Sequence, residues 1–498
     1  MLKTIIGGLA LFLAVSAFGV PALAVPRMSP AAGSDQILAA RSLLASEALV
    51  FNFTQTVKSN GKLVSTQTGT VTLGSDFNVI EQGQEHTLDD FTLCRVLTWK
   101  TAQPKLDNQS CFFGPAFRLA ELYNRQGLHR MLAAAVDNKT KKPENLEPYW
   151  AEQELAVQDK PSDTLTVHTT SSSTDYRLDD RVVVRTSLTV YPFSPAERQR
   201  IARYLARHMD LHPQVLRAIL ASGQLPSDIT IERYNADQAE TETFHFTALS
   251  RQTLEYPLPP GLISALTVEA KGESLKARGL NKAFASVTET ELSPKPDFDM
   301  LMERLEAATK AHQGMTATLL FQELATQYGG SMMSDPERIG RLRAIMPSLQ
   351  LIFAETDSAQ FMLASQLAGD GKATPQNEAA ARYLANAKEL DALPFGTFRY
   401  VTFANLVRVS GDTSAWDKTT FSAMPSLADC YWIHIAAYPW IGNSYKDLGD
   451  LAYQNYEMDK AWQMWDLGRA VDSDWQSNTL KSIEEYEDRL RVALPTSF

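Results

Sequence analysis

Alternation of apolar and polar residues fills the first part of the chain and predicts antiparallel strands. Leu49, Phe51 and Phe53 alternate with polar neighbours, which is the two-residue period of a half-buried strand. Asn60-Gly61 follows, and a second alternating run comes directly after it. Because both residues of an Asn-Gly pair accept positive φ, the pair is a strong signal of a β-hairpin. Further strands are predicted over 77–80, 164–169, 182–191, 228–234 and 241–249.

Two helical segments interrupt this strand pattern. An amphipathic pattern predicts a helix over 118–135. Residues 194–197, Ser-Pro-Ala-Glu, have the signature of a capping box, in which the Ser and Glu side chains accept from the first backbone amides. We therefore expect helices over 195–208 and 213–222, the second ended by Gly223.

The hydrophobic period changes near residue 292. Residues 292–297 carry two prolines among polar residues, which continue neither a strand nor a helix, so we expect a linker. Beyond it, Phe298, Leu301 and Met302 begin an apolar stripe with helical period. Further helices are predicted over 315–327, 335–355, 358–368, 376–390, 397–409, 443–456, 458–472 and 476–492.

These patterns predict an α+β fold in two domains. An N-terminal antiparallel β-rich domain with inserted helices is expected over 45–291. A C-terminal α-α helical repeat domain, solenoid-like in form, is expected over 298–498.

The N-terminus has the three parts of a secretory signal peptide. Lys3 gives a positive start, an apolar run follows, and Ala22-Leu23-Ala24 ends it. We expect a signal peptide over 1–24, a leader with a short helix over 25–44, and a periplasmic or secreted location. An uncleaved anchor is the alternative. No later segment reaches about 18 uninterrupted apolar residues, so no transmembrane segment is expected in the mature chain.

Residues 445–473 carry the most specific pattern of the helical part. Tyr445, Leu448 and Gly449 fall on a first helix, and Ala461, Trp465 and Gly468 fall on a second. This spacing resembles a tetratricopeptide repeat, although Ala452 and Ser473 depart from the family pattern. The resemblance implies that Leu448, Gly449, Ala461, Trp465 and Gly468 pack the two helices together.

A weaker likeness lies at 359–390. Gly369-Asp370-Gly371 separates two predicted helices, which looks like the related Sel1-like repeat. Because one repeat does not bury its own apolar face, the resemblance implies a solenoid of several copies across 298–498. An irregular helical bundle is the alternative.

Net charge and cysteine content indicate which partners and which bonds are expected. The formal net charge is −11, which disfavours binding to nucleic acid. The chain has three cysteines, and a hairpin between 91–99 and 110–113 would bring Cys94 near Cys111. We predict a disulfide between them, with two buried free thiols as the alternative, and we expect Cys430 to be buried and unpaired.

Few residues have the spacing of a catalytic or metal-binding motif. His208 and His212 have the spacing of two ligands on one helix face, but no third ligand is near, so no metal site and no cofactor are predicted. Asp89-Asp90 and Asp179-Asp180 are expected to be solvated turn residues.

The helix over 198–207 is basic within an acidic chain. It is expected to be a solvated face or a patch for an anionic partner such as a lipid headgroup.

The function predicted from these features is an exported, non-catalytic protein-interaction scaffold. A helical repeat surface would hold a protein or peptide partner, with Trp440, Tyr445, Tyr456 and Trp462 as partner-binding residues. Packing between repeats is the other role for these aromatic residues. The alternative function is a periplasmic carrier that holds a lipid or acylated ligand in the β-rich domain. An enzyme whose catalytic residues form no local motif is a further alternative, but the sequence predicts none.

Overall fold

The computed structural model describes most of the β-rich part of the chain and five stretches of the helical part. The described residues are 28–41, 45–121, 123–124, 165–178, 181–209, 211, 213–235, 238–287, 297–332, 335–354, 426–437, 439–471 and 478–498. Several predictions lie outside them: the signal peptide over 1–24, the likeness at 359–390, the helices over 358–409, Asp179-Asp180 and His212.

One sheet of twelve strands dominates the N-terminal part. Its order is β14-β6-β5-β4-β3-β2-β1-β13-β12-β9-β8-β7, and β10 pairs with β11 apart from it. The described pairs of the large sheet are antiparallel except β14–β6, which is parallel. The strands are β1 Ser46–Ser59, β2 Lys62–Leu73, β3 Phe77–Gln82, β4 Glu85–Asp90, β5 Arg95–Lys100, β6 Lys105–Ser110, β7 Leu165–Thr169, β8 Ser173–Leu178, β9 Arg181–Ser187, β10 Val190–Pro192, β11 Gln224–Pro226, β12 Asp228–Asn235, β13 Gln238–Leu254 and β14 Ile263–Ser264.

Helices lie before, within and after the sheet. The α+β class and the large antiparallel sheet are therefore confirmed, whereas a repeat solenoid is not. The helices are α1 Ser34–Ala40, α2 over 113–121 and 123–124, α3 Pro195–His208, α4 Pro213–Ser222, α5 Ala265–Glu269, α6 Leu275–Val287, α7 Phe298–Lys310, α8 Gly314–Met332, α9 Pro336–Ala354, α10 Leu427–Ala437, α11 Gly442–Gln454, α12 Met458–Val471 and α13 Asn478–Ala493.

Two local sequence signals form as predicted. Asn60 and Gly61 have φ of 49° and 77° and join β1 to β2, with Ser59 paired to Lys62. At the start of α3, the backbone N–H of Ser194 donates to Glu197 Oε2 at 2.6 Å, which completes the capping box.

The sheet carries apolar cores on opposite faces. On its inner face, α3 and α4 pack over β1, β2, β12 and β13, with Phe51, Tyr204 and Phe246 in contact. On its outer face, α1 and the segment that follows β13 cover β3 to β6. The register explains the change, because Leu73 pairs with the polar Asn78, which turns Val79 of β3 to the other face.

The C-terminal helices contribute to three further cores, one of which joins α11, α12 and α13 to Phe112 and α2. Helices α7, α8 and α9 share one core among themselves. Helices α10, α11 and α12 share another with α6, where the Gly279 backbone lies against Trp432: a Cβ there would be 2.6 Å from the indole. The sequence pattern predicted neither α6 nor α10. Since α6 lies within 45–291, one core spans the predicted domain boundary.

Among the described residues, no helix combines the length and apolar content that a membrane span requires.

Candidate functional site

The turn between β4 and β5, over 89–95, connects the sheet to three other parts of the molecule; we call it the junction turn. Asp89 and Asp90 are consecutive on β4 and therefore project to opposite faces of the sheet. Both are buried, with 3% and 0% of their surface exposed. The prediction that they are solvated turn residues is wrong, because each faces an arginine from a distant segment.

On the inner face, Asp89 pairs with the last turn of α3. His208 Nε2 lies 2.7 Å from Asp89 Oδ2, and Arg207 Nε lies 3.4 Å from Oδ1. Burial by itself raises the pKa of Asp89, but the charges of Arg207 and His208 outweigh it, and the pKa lies below its ordinary value. The His208 ring stacks on Tyr204, so the pair is held between the sheet and the helix.

On the outer face, Asp90 is held by hydrogen bonds and one cation. Tyr256 Oη donates at 2.7 Å and the backbone N–H of Leu93 at 2.8 Å, while Arg41 Nε lies 3.3 Å away. Burial raises the pKa of Asp90 against these contacts. Burial, together with the neighbouring Asp90, also raises the pKa of Tyr256.

The arginines of α3 connect the sheet to the C-terminal residues. Arg203 Nε donates to Phe498 O at 2.8 Å, and Arg207 donates to Ser497 O and to Cys111 O. Arg203 also lies over the Phe91 ring, 4.2 Å from its centroid. Two arginines of this helix therefore bind carbonyl groups of the same chain. Neither expectation for the basic helix, a solvated face or a patch for an anionic partner, included these contacts.

The predicted disulfide between Cys94 and Cys111 is confirmed. Strands β5 and β6 form the hairpin that brings the two residues together, with Cα atoms 4.8 Å apart. The strands differ from the prediction, since residues 91–94 form a turn and Cys111 follows the end of β6. The disulfide packs in one core with Trp462 and Trp465 of α12, so it lies where the sheet meets the C-terminal helices.

A buried set of ion pairs lies beside this disulfide. Arg95 Nη1 donates to Asp466 Oδ2 of α12 at 2.6 Å, and both side chains are at most 4% exposed. Arg469 lies 3.0 Å from Asp466 and 3.1 Å from Glu487 of α13, which also accepts from the Trp462 indole. The two arginines and two carboxylates balance in charge, so α12 and α13 are attached to the sheet without a net buried charge.

The predicted partner-binding residues lie in different environments. Tyr445 and Trp462 are 0% exposed and belong to the core, while Trp440 is half-buried. Tyr456, in the turn between α11 and α12, is 52% exposed. Partner contact stays a prediction for this set, and Tyr456 has the most surface to offer.

The predicted repeat-packing residues lie on α11 and α12. Leu448, Ala461 and Trp465 are at most 6% exposed, and Gly449 and Gly468 are buried as well. The Gly449 backbone lies directly against the Trp465 indole, where a Cβ would collide. This close approach is the role that the small residue was expected to have.

Two exposed aromatic residues join Tyr456 at the surface. Phe117 and Tyr123 of α2 are 51% and 58% exposed, and Tyr456 Oη donates to Asn124 Oδ1 at 3.3 Å. Phe117 and Asn124 are seven residues apart and share a helix face. We call Phe117, Tyr123 and Tyr456 the aromatic patch. Sequence reasoning missed its α2 members, because α2 and the α11–α12 turn are more than 300 residues apart in the chain.

Metal-binding chemistry receives no support from the described part of the chain, where no three His, Cys, Asp or Glu side chains cluster as ligands. His208, one of the two spaced histidines, contacts Asp89 through its Nε2 atom. No known protein-family model matches the chain, and comparison with curated proteins finds no match.

Proposed function

We propose that the protein is an exported, non-catalytic binding protein that holds a protein or peptide partner at the aromatic patch. The observation that carries this proposal is the exposure of three large aromatic side chains, each more than half accessible, on α2 and on the α11–α12 turn, which the Tyr456–Asn124 hydrogen bond joins. Aromatic rings with a polar edge dominate binding energy at protein interfaces because they bury a large area at small entropic cost.

The core around the Cys94–Cys111 disulfide supports this function, because it holds the aromatic patch in place. Helix α2 follows β6 directly after Cys111, and the same core contains residues of α11, α12 and α13. Both sides of the patch therefore rest on one packed body, which lowers the ordering cost of binding. The close packing of α11 on α12 supports the resemblance to a tetratricopeptide repeat, which we carry forward as part of the proposal.

Export agrees with the disulfide. A Cys94–Cys111 bond persists in an oxidising compartment such as the periplasm or the extracellular space. Together with the signal-like N-terminus, it supports a periplasmic or secreted location.

Site-specific photo-crosslinking tests the proposal. A photoreactive amino acid at Tyr456 or Tyr123 is expected to give one discrete crosslinked partner in the protein's own compartment. The matched control is Leu351, which is 72% exposed on α9. Equal labelling from position 351, or none from 456 and 123, would contradict the proposal.

Affinity for the identified partner gives the second readout. The double variant Tyr123→Ala, Tyr456→Ala is expected to weaken binding by at least about tenfold, the effect of losing interface anchors. Leu351→Ala should leave binding unchanged.

The carrier alternative stays a prediction. Side chains of α3 and α4, among them Tyr204 and Leu216, fill the inner face, where an acyl chain would have to lie. A lipid that co-purifies with the intact protein in native mass spectrometry would support the carrier, and its absence would count against it.

A further inference from the structure

The end of the β1–β2 hairpin, over 58–64, exposes two adjacent apolar side chains; we call it the hairpin tip. Leu63 and Val64 are 63% and 64% exposed. Lys58 and Lys62 lie beside them and are exposed too. Exposed apolar residues flanked by cations are the composition of segments that rest in a lipid headgroup layer.

The pairing register orients the apolar residues together. Val57 pairs with Ser65, but Lys58 pairs with Leu63, so Val64 is an extra residue on β2. At such a β-bulge, two residues oppose one on the neighbouring strand. Leu63 and Val64 therefore both lie opposite Lys58, and the apolar pair and one cation face the same way.

The tip stands away from the core but is not a loose loop. Phe53 is a core residue of β1, and β1 continues for six more residues, roughly 20 Å, to Ser59. Over this length β1 stays paired with β13, where Ser59 meets Glu240. Strand β3 pairs with β2 over 70–73, so 62–69 of β2 extend past it. The tip is thus a supported projection at one end of the sheet.

We propose that the hairpin tip docks on an anionic membrane surface, with Leu63 and Val64 inserted among the acyl chains and Lys58 and Lys62 on headgroup phosphates. Two lysines in a chain of net charge −11 give this end a local cation pair, which acts within a screening length of about 10 Å. Two side chains are too small an area for a stable protein interface, which buries more than about 1,000 Å². Shallow insertion into a bilayer needs no such area.

Glu240 sets a limit on the attraction. It pairs with Ser59, which pairs with Lys62 on the other side, so it lies about 10 Å from Lys62. Ser59 alternates with Lys58, so Glu240 faces away from the side shared by Lys58 and Leu63. Weak, reversible membrane binding that depends on salt is therefore expected.

Vesicle co-sedimentation tests the proposal on residues 25–498, because an apolar signal segment would bind vesicles by itself. Vesicles of phosphatidylglycerol and phosphatidylcholine should bind the protein at least about tenfold better than phosphatidylcholine alone. Lys58→Gln with Lys62→Gln should remove this preference, since each cation near an anionic surface contributes about fivefold. Leu63→Asp with Val64→Asp should abolish binding.

Val167→Asp is the matched control, since Val167 is 56% exposed on β7, an edge strand that lies five positions from β1 in the sheet order. It should bind vesicles like the unmodified protein. No binding to anionic vesicles, undiminished binding by the tip variants, or an equal loss in the control would each overturn the proposal.

A fluorescent reporter distinguishes insertion from surface charge. Leu63→Trp should show more quenching by brominated acyl chains than the unmodified protein, whose eight tryptophans give the background, whereas a tip held off the bilayer would show no increase and would overturn the insertion. Crosslinking from Tyr456 to a partner should persist in the tip variants, so failure here leaves the proposed function untouched.

Discussion

At the junction turn, charged side chains are buried and paired, whereas at the hairpin tip apolar side chains stand in solvent. Asp89, Asp90 and Arg95 are each at most 3% exposed, while Leu63 and Val64 are more than 60% exposed. Both segments connect neighbouring strands of the same sheet. The two segments differ because other parts of the chain cover the junction turn. There, α3, α12 and the segment after β13 supply partners to the buried charges.

The two segments differ in how strongly folding stability depends on their polar groups. A buried charge costs several kcal/mol unless it is paired, so the junction is stable only while every partner is present. The hairpin tip needs no such partners, because exposed residues seldom contribute much to folding stability. The free energy of unfolding should therefore be sensitive to changes at the junction turn and insensitive to changes at the hairpin tip.

Breaking the Arg95–Asp466 pair should have the largest effect. Asp466→Ala leaves the Arg95 guanidinium buried without its carboxylate, and we expect the free energy of unfolding to fall by about 3–5 kcal/mol. Denaturant unfolding of the intact chain measures it. The control is Asp450→Ala on α11, whose ion pair with Lys446 is 37% exposed on the carboxylate side and should be worth at most about 1 kcal/mol.

A double variant separates lost charge from lost packing. Arg95→Met with Asp466→Leu removes both charges and keeps apolar volume, so most of the stability should return. If the double variant is as unstable as the single one, geometry rather than charge pairing holds the junction, and the comparison with the tip loses its electrostatic basis.

Removing the disulfide should cost somewhat less. Cys94 and Cys111 are 17 residues apart, and closing such a loop contributes about 3 kcal/mol in the chain-entropy treatment. Cys94→Ser with Cys111→Ser should lower the unfolding free energy by that amount. Thiol labelling of the denatured protein should find one free thiol before reduction and three after it; three before reduction would show that the bond does not form.

A buried, neutral histidine tests whether stability also falls when a polar group must take up a charge in the core. His434 of α10 lies 2.6 Å from the Ser444 hydroxyl, and burial lowers the pKa of the imidazole to about 4. The unfolded chain binds a proton near pH 6.5 while the folded one resists until about pH 4, so stability falls as pH drops through this window.

Between about pH 7.5 and pH 5 the protein should lose about 2 kcal/mol more than His434→Asn, which keeps a hydrogen-bonding group but does not titrate. Unfolding at the two pH values measures the difference. Equal losses in both proteins would show that His434 is protonated in the folded state without cost.

Features carried by neighbouring residues could be predicted from the sequence. Asn60-Gly61 places two positive-φ residues where a hairpin needs them, and Ser194 and Glu197 cap one helix within a single turn. The disulfide follows from one hairpin for the same reason, since its two cysteines are brought together by adjacent strands.

Features that depend on distant partners could not be predicted in this way. Asp89 meets Arg207, and Arg95 meets Asp466 at a separation of 371 residues. No local pattern tells a paired aspartate from a solvated one. The aromatic residues show the same limit, because Trp462 and Tyr456 belong to the same helix pair, yet one is buried by α13 and by Phe112 while the other is exposed.

The hairpin tip should show the smallest effect on stability. Leu63→Asp with Val64→Asp is expected to change the free energy of unfolding by less than about 0.5 kcal/mol, because neither side chain leaves a buried site. Val71→Ala in the same strand is the contrast: Val71 is 0% exposed, and its truncation should cost about 2 kcal/mol. A tip variant as unstable as the Val71 variant would mean that Leu63 and Val64 are retained for folding. A stable tip variant would leave their exposure without a folding benefit, which agrees with an external contact at the tip.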